Sequence, residues 1–508
     1  MSIFTTYLFT DLFALLATAA AIVYAYFKWS YQYWKRRNLN YLEPKIPFGN
    51  FPSPATSGLS SGESTMQMYN DAKARGWKYS GTYIMSTPTF MVLDLELLKR
   101  VMTKDFNHFV DRGIYTNEKD DPVGCHLFAL GGSKWRNLRA KLSPTFTSGK
   151  MKMMFQTMAD CGVILEKYIQ QSVADKEVVN IKDILGRFST DIIGSCAFGL
   201  DCNSFEEPNS PFRVYGKKVF RPTALDQINI LISFSFPNLA RILGIRIVKK
   251  DVSDFFIKVV EDTISYREKN NVSRNDFMQL LLEMKNKDGD VSGDGNTLTT
   301  LEIVAQSFVF FIAGFETSST TMTFALFELA RHPEIQDRVR KEICTVLAKH
   351  DNKITYDSAN ELVYMKQVID ETLRMYPPLP ILTRRCVEDY KVPGEYFVVE
   401  KGTPIFIPVA GIHYDEDYYE NPTKFDPDRF TPENKQSRHP YAHIPFGEGP
   451  RICIGERFGV LQTKIGLISI LKDFKVSLNE KTRLPLKLDP ESQVTAALGD
   501  IWLNIEKM

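Results

Sequence analysis

An excess of charge of either sign is missing from this sequence. Its 508 residues carry 62 basic and 61 acidic side chains, a formal net charge of +1. That balance argues against nucleic acid as a partner, because general attraction to phosphates needs a clear basic surplus. Cysteine is scarce, at seven residues. The number is odd and too small for a disulfide scaffold, so a reducing compartment is expected and at least one thiol is free for chemistry or metal ligation. Internal repeats and long disordered tracts are absent. A dinucleotide fingerprint is missing too. Gly289, Gly293 and Gly295 have a GxxxGxG spacing, but they follow a helical run instead of a strand. Asp290 and Asp294 beside them would repel a pyrophosphate. Asp288, Asp290, Ser292, Gly293 and Asp294 resemble the start of a calcium loop, yet Thr299 stands where a bidentate Glu is required. The stretch Lys285–Asn296 therefore reads as a solvated linker. What is abundant is apolar: 44% of residues are hydrophobic and Phe (35) outnumbers Tyr (22) and Trp (5), so a large core of pure hydrophobes is expected.

The N-terminal stretch Met1–Phe27 holds one charged side chain, Asp11. Leu12–Phe27 makes about 24 Å of helix, and the residues before Asp11 extend it past the ~30 Å of a bilayer core. Lys28, Lys35, Arg36 and Arg37 follow, which places the remainder in the cytosol. Trp29, Tyr31, Tyr33 and Trp34 are expected to form an interfacial aromatic belt. Ala17-Thr18-Ala19 mimics a signal-peptide cleavage site, but the apolar run continues to Phe27 and no basic segment precedes it. Pro44, Pro47, Pro52 and Pro54 predict a stiff connector that holds the body off the membrane. Two strands are predicted at Tyr79–Met85 and Thr89–Leu93, with Ser86-Thr87-Pro88 as the turn. A mostly helical pattern then runs for roughly 300 residues. Short strands return at Phe474–Leu478 and Ile501–Ile505. The fold class is mainly α with a small β-rich lobe.

The chemistry centres on Phe446-Gly447-Glu448-Gly449-Pro450-Arg451-Ile452-Cys453-Ile454-Gly455. A glycine-rich turn lets backbone amides approach a sulfur. The helical segment Ile454–Leu471 begins next to it, and its amino end and Arg451 both favour thiolate over thiol. Cys161, Cys196 and Cys344, in apolar helical surroundings, read as ordinary structural cysteines. The loop resembles the ligand loop of the cytochrome P450 superfamily, FxxGxRxCxG, at all five fixed positions: Phe446, Gly449, Arg451, Cys453 and Gly455. A thiolate there would push electron density onto haem iron and favour O–O cleavage.

Further motifs support the resemblance in the expected order. Thr299…Glu302 is a capping box that starts a long helix near Thr300. On it, Ala313-Gly314-Phe315-Glu316-Thr317-Ser318 matches the oxygen-activation pattern AGxET[ST]. Val309, Ile312, Ala313, Glu316 and Thr317 should share one stripe. Gly314 and the Thr317 hydroxyl should open the helix locally and admit water. The resemblance makes Thr317 and Glu316 the catalytic pair that moves protons to oxygen. Glu371-Thr372-Leu373-Arg374 matches ExxR, and Arg429 in Pro427-Asp428-Arg429-Phe430 would complete a structural ion-pair network. Trp135 and Arg139 match the haem-contacting WxxxR. Arg139, and further Arg384, Arg451 and Arg112, would bind propionates, as bidentate partners of carboxylates. Ala313, Phe446 and Gly455 would also touch the haem.

The resemblance covers essentially the whole chain. It is nearest to insect microsomal P450s that oxidise plant toxins and insecticides, through Leu142–Lys150 and Phe446–Gly459. It implies an anchor at 1–28, a connector at 29–55 and a haem-thiolate domain at 56–508, with about a dozen helices around haem b. It further implies the endoplasmic reticulum membrane, O2, and NADPH used only through NADPH–cytochrome P450 reductase, with cytochrome b5 as a further partner. Lys134, Arg136, Lys141, Arg457 and Lys464 would gather on the docking face. Phe109, Phe128, Val309, Ile312, Ala313, Ile381, Leu382 and Ala496 would line a pocket for lipophilic substrates. Ile228–Ile247 reads equally as a membrane-dipping segment and as an ordinary packing helix. Two other functions compete with the monooxygenase: a P450-type peroxide isomerase or dehydratase, which would not need Glu316 and Thr317, and a non-catalytic membrane haem carrier or sensor.

Overall fold

The computed structural model describes residues 2–51, 57–285 and 297–508, with side chains from Thr10 onward. Pro52, Pro54 and the Gly289–Gly295 linker lie outside the described residues. In chain order the helices of ten residues or more are α1 (Ser2–Ser30), α2 (Ser61–Lys73), α3 (Gly132–Leu142), α4 (Ser148–Ala174), α5 (Ile181–Ile193), α6 (Pro211–Phe220), α7 (Ala224–Ser235), α8 (Lys250–Asn270), α9 (Thr300–Arg331), α10 (Pro333–Ala348), α11 (Val363–Met375) and α12 (Glu456–Leu471). The strands are β1 (Tyr79–Ile84), β2 (Thr87–Val92), β3 (Val179–Asn180), β4 (Leu382–Arg385), β5 (Tyr390–Lys391), β6 (Val398–Val399), β7 (Pro404–Ile407), β8 (Phe474–Leu478) and β9 (Trp502–Lys507). They form sheets in the orders β1-β2-β7-β4, β3-β9-β8 and β5-β6.

Local sequence explains the element boundaries. Helix α9 starts on the expected capping box: the Thr299 N–H donates to Glu302 Oε2 at 2.8 Å and the Glu302 N–H donates to Thr299 Oγ1 at 3.2 Å. α2 starts the same way on Ser60 and Glu63. The first hairpin differs from the expected one. Ile84 pairs with Thr87, so the turn is Met85-Ser86, and Thr87 and Pro88 belong to the strand. Pro88 is tolerated because β7 meets β2 only at Phe90 and Met91, leaving its end of the strand without a partner on that side. The last strand starts at Trp502, one residue later than expected, and runs on to Lys507.

Two cores result. The helical core holds α9 along its length, packed on α5, α8 and α12 through residues such as Phe188, Phe256, Phe311, Met322 and Ile465. A second core fills the β-rich lobe around Tyr83, Phe90, Val92, Ile405 and Ile407. Among the described residues two helical segments are long and apolar enough to cross a membrane, Thr10–Arg36 and Thr300–Arg331, and half of the apolar window in the second is buried inside the protein.

The connector is not a spacer. Phe27, Tyr31, Trp34, Leu39 and Leu42 are buried in the β-rich lobe. Trp34 is 1% exposed, and its Nε1 donates to the Thr82 carbonyl at 3.0 Å. Arg37 donates from Nε and Nη2 to Glu400 Oε1. The Leu42 N–H donates to the Gly81 carbonyl and the Gly81 N–H to the Asn40 carbonyl. Of the four expected interfacial rings, Trp29 alone is largely exposed. Tyr31 and Trp34 are core residues, because a ring offered to the uncovered side of β1 buries more area there than at a surface.

Candidate active site

The Cys453 loop is built by its glycines and by contacts from behind. Gly449 has φ +72°, and a Cβ on it would stand 2.0 Å from the Met102 carbonyl oxygen, so no other residue fits. The Cys453 N–H donates to the Phe446 carbonyl at 2.9 Å, closing the turn. Helix α12 starts at Glu456 with Gly455 as N-cap, two residues later than the sequence suggested.

A polar relay supports this loop from the far side. Arg374 donates from Nε and Nη2 to the two carboxylate oxygens of Glu371, at 2.7 and 2.8 Å, and both residues are fully buried. Arg429 Nε lies 3.4 Å from Glu371 Oε1, so the structure brings all three ExxR-network residues together. Arg374 Nη1 also donates to the His413 carbonyl at 2.9 Å. The His413 ring bonds the Arg374 carbonyl through Nδ1 and accepts the Ile444 N–H at Nε2. Burial holds that imidazole neutral, well below its usual range, so Nε2 can accept. Ile444 stands two residues before Phe446, and the network therefore fixes where the loop begins.

In front of the loop lies a cavity of about 240 Å³. All nine residues expected to touch haem line it: Arg112, Trp135, Arg139, Ala313, Arg384, Phe446, Arg451, Cys453 and Gly455. The Cys453 thiol opens onto this cavity although it lies deep in the protein. Burial pushes the thiol up, and the hydrogen bond from Gly455 and the charges of Arg112 and Arg139 pull it back only in part. Arg451 is not among the groups that lower it, contrary to expectation. Its guanidinium is spent on the carbonyls of Val110, Leu127 and Leu130 and lies 3.9 Å over the Trp135 ring. A bound metal would deprotonate the sulfur outright.

The arginines show what fits the cavity. Arg384 is 1% exposed, its Nε has no partner, and its Nη1 donates only to its neighbour's carbonyl. Burial lowers Arg384 to about 10 and Arg451 to about 9, and lowers Arg112 well below its normal range. Among the described residues, none of Arg112, Arg139, Arg384 and Arg451 is salt-bridged to a carboxylate. Buried cations without counter-ions call for an anionic ligand. A flat macrocycle with two carboxylates and a sulfur-bound metal satisfies this donor set.

Other expected residues lie elsewhere. Phe128, Val309, Ala313 and Leu382 line the cavity; Phe109, Ile312, Ile381 and Ala496 do not. Phe109 is buried in the β-rich lobe with its ring 4.8 Å from that of Tyr390, and Ile381 packs against the same core. Along α9 the cavity-facing positions are Val309, Phe310, Ala313, Gly314, Thr317, Ser318 and Thr321. That stripe is rotated by about one residue from the expected one, which turns Ile312 and Glu316 away. Glu316 faces a second cavity, about 250 Å³, with Lys182, Arg213, Lys217, Arg221 and Ala496. Burial raises its carboxyl, and Lys182 and Lys217 draw it back. The helix continues through Gly314, and Thr317 Oγ1 donates to the Ala313 carbonyl at 2.5 Å. A side chain on Gly314 would collide with Ile193, so this glycine serves the packing of α5 on α9.

Sequence reasoning missed Ile193, Ala197 and Phe277 as lining residues, since nothing local marks a helix that passes the cavity end-on. Of the basic residues expected on the sulfur side, Lys464 is buried and donates to the carbonyls of Ala359 and Leu362. Burial lowers it to about 8. Lys104, which was overlooked, is exposed there beside Arg136 in a surface groove.

A family model for cytochrome P450 matches residues 54–502. Cytochrome P450 6a2 of Drosophila melanogaster is 42% identical over 508 residues, covering 99% of this chain and 100% of the relative. Cytochrome P450 6A1 of Musca domestica is 42% identical over 500 residues, with 97% of each chain covered. Cytochrome P450 6k1 of Blattella germanica is 39% identical over 512 residues, covering 98% and 97%. The agreement runs from the motif around Cys453 to nearly the full length of the chain, and on it the protein belongs to the cytochrome P450 family, as a monooxygenase that works through haem with a cysteine thiolate ligand.

Proposed function

We propose that the protein is a membrane-anchored monooxygenase that inserts one oxygen atom of O2 into lipophilic small molecules, with electrons from NADPH delivered by NADPH–cytochrome P450 reductase. Plant toxins, insecticides and endogenous lipids are the substrate classes. The observation that carries this reading is that the Cys453 sulfur and the Thr317 hydroxyl open onto one cavity whose α9 wall before Thr317, formed by Val309, Phe310, Ala313 and Gly314, is apolar. Haem b bound by Cys453 supplies the activation of O2. Cys453 holds the metal and donates charge to it. Arg112, Arg139 and Arg384 would hold the propionates beside Trp135, and Arg451 would join them by exchanging a carbonyl partner. Thr317 donates its proton to the Ala313 carbonyl, which leaves its oxygen free to accept from a water in the cavity. Glu316 is the acid that exchanges protons with solvent. Val309, Phe310, Ala313 and Leu382 exclude water and present apolar surface to a substrate C–H.

Reconstitution of the purified protein with the reductase, NADPH and a panel of lipophilic toxins tests the proposal. NADPH-dependent product is the expected result. Rearrangement of an organic peroxide without NADPH would favour the isomerase, and neither activity would favour a carrier. Thr317→Ala should keep NADPH consumption while product per NADPH falls about tenfold or more and peroxide is released. Unchanged coupling would remove Thr317 from the mechanism.

The membrane reading rests on α1 and on a second apolar surface. Leu225, Leu239, Ile242 and Leu243, on α7 and the short helix Pro237–Ile242 and just after it, are strongly exposed, Ile242 at 82%. Exposure on this scale favours contact with lipid over internal packing. The endoplasmic reticulum is the membrane proposed. Lys104, Lys134, Arg136 and Arg457 form the docking face for the reductase and for cytochrome b5. Charge reversal at Lys134 and Arg136 should slow reductase-driven turnover severalfold and spare peroxide-driven turnover, because rim charges act mainly on encounter. An equal loss in both assays would place the effect inside the protein.

A further inference from the structure

We propose that Gln306 is a positioning residue that sets where the Leu127–Phe128 turn stands in the cavity wall and thereby selects substrates by size. The proposal rests on the reading of the Cys453 cavity as the substrate chamber. Gln306 lies on α9, about two turns before Ala313, and is fully buried without lining the cavity. A buried amide needs partners, and this one has two. Its Oε1 accepts the Leu127 N–H at 2.9 Å, and its Nε2 donates to the Glu302 carbonyl at 3.3 Å. Leu127 and Phe128 sit in an irregular turn, and both line the cavity. No ladder or helix therefore fixes their position in the cavity wall.

Three ties hold this turn from the opposite side. Arg112 Nη1 donates to the Phe128 carbonyl at 3.2 Å, with its guanidinium 4.2 Å over the Phe128 ring. Arg451 Nη1 and Nη2 donate to the carbonyls of Leu127 and Leu130, at 3.5 and 2.7 Å. These are the guanidiniums that a ligand with two carboxylates would compete for. The tie to Gln306 comes from a neutral side chain on a core helix and does not compete with that ligand. Gln306 is thus the fixed point of this turn, and the arginine ties are the exchangeable ones.

The test uses the full-length, haem-loaded protein and its Gln306→Met, Gln306→Glu and Gln306→Asn variants. Two quantities are read: hydrogen exchange at the Leu127 amide, and the ratio of dissociation constants for clotrimazole and for imidazole, from absorbance titration. Gln306→Met keeps length and removes the acceptor. Exchange at Leu127 should quicken about tenfold, as for loss of one buried hydrogen bond. The clotrimazole-to-imidazole ratio should change about fivefold or more, with the reduced carbon-monoxide spectrum intact. Gln306→Glu keeps an acceptor oxygen for the Leu127 N–H and, at a pH where its buried carboxyl is protonated and can still donate to the Glu302 carbonyl, should hold both quantities near those of the native protein. If Gln306→Met does not fold, Gln306→Asn, which shortens the tie by one methylene, should shift the ratio by itself. A ratio unchanged within about twofold, unaltered exchange at Leu127, or parallel weakening of both ligands with loss of the thiolate spectrum would each overturn the proposal. Azole binding needs haem but no turnover, so failure of the monooxygenase reading would leave this measurement standing.

Discussion

Cys453→Ser should lower kcat/KM by at least about a thousandfold and abolish the thiolate signature in the reduced carbon-monoxide spectrum. Serine is nearly isosteric and keeps the backbone N–H that donates to Phe446. Gly449 and the His413 contact to Ile444 still shape the loop, so the melting temperature of the protein without haem should move by only a few degrees. What is lost is the donor atom. A hydroxyl gives up its proton far less readily than a thiol, and Arg112 and Arg139 are too weakly placed to force it. Retention of the thiolate spectrum in this variant would mean that another sulfur binds the metal. None is at hand on the loop, because the other cavity-lining cysteine, Cys196, is buried within the helical core.

Arg374→Ala should be among the most destabilising single changes, costing about 3–5 kcal/mol, with haem lost on purification. The substitution leaves the Glu371 carboxylate fully buried, with only the more distant Arg429 as cation. Burial already raises the Glu371 carboxyl, and the Arg374 contacts are what oppose that rise. It also frees the His413 carbonyl, and through the His413 ring the strain reaches Ile444 and the Cys453 loop. Arg374→Leu combined with Glu371→Leu should cost less than the sum of the two single variants, since no lone charge remains. Denaturant titration of both variants measures the difference. A cost under about 1 kcal/mol for Arg374→Ala would show that water reaches Glu371.

The parts of the site that were legible in the sequence share a physical cause. The positions around Cys453, Glu371 and Arg374 are bound by local geometry: a positive φ at Gly449, an i,i+3 ion pair, a capping box at Thr299. Such constraints act within a few residues and leave a mark on residue type. Phe109 and Ile381 do not reach the cavity because the β-rich core claims their side chains, while Ala496 lines the second cavity, and no local signal separates an apolar residue of a core from one of a cavity wall. Ile312 and Glu316 left the expected stripe through a rotation of one helix, since a stripe read from i, i+3, i+4 spacing has no fixed origin on a helix buried on most sides. Lys464 and Gln306 carried no mark at all. A buried lysine and a buried glutamine look like surface residues until the carbonyls and amides that satisfy them are in place.

The placement of Glu316 and Thr317 on opposite flanks of α9 makes that helix a partition between two compartments. Greasy cargo can fill the chamber beside the sulfur completely and still not dam the wet route to the carboxylate behind the wall. Bulky and small guests would then leave that carboxylate equally undisturbed, since none of them enters its compartment.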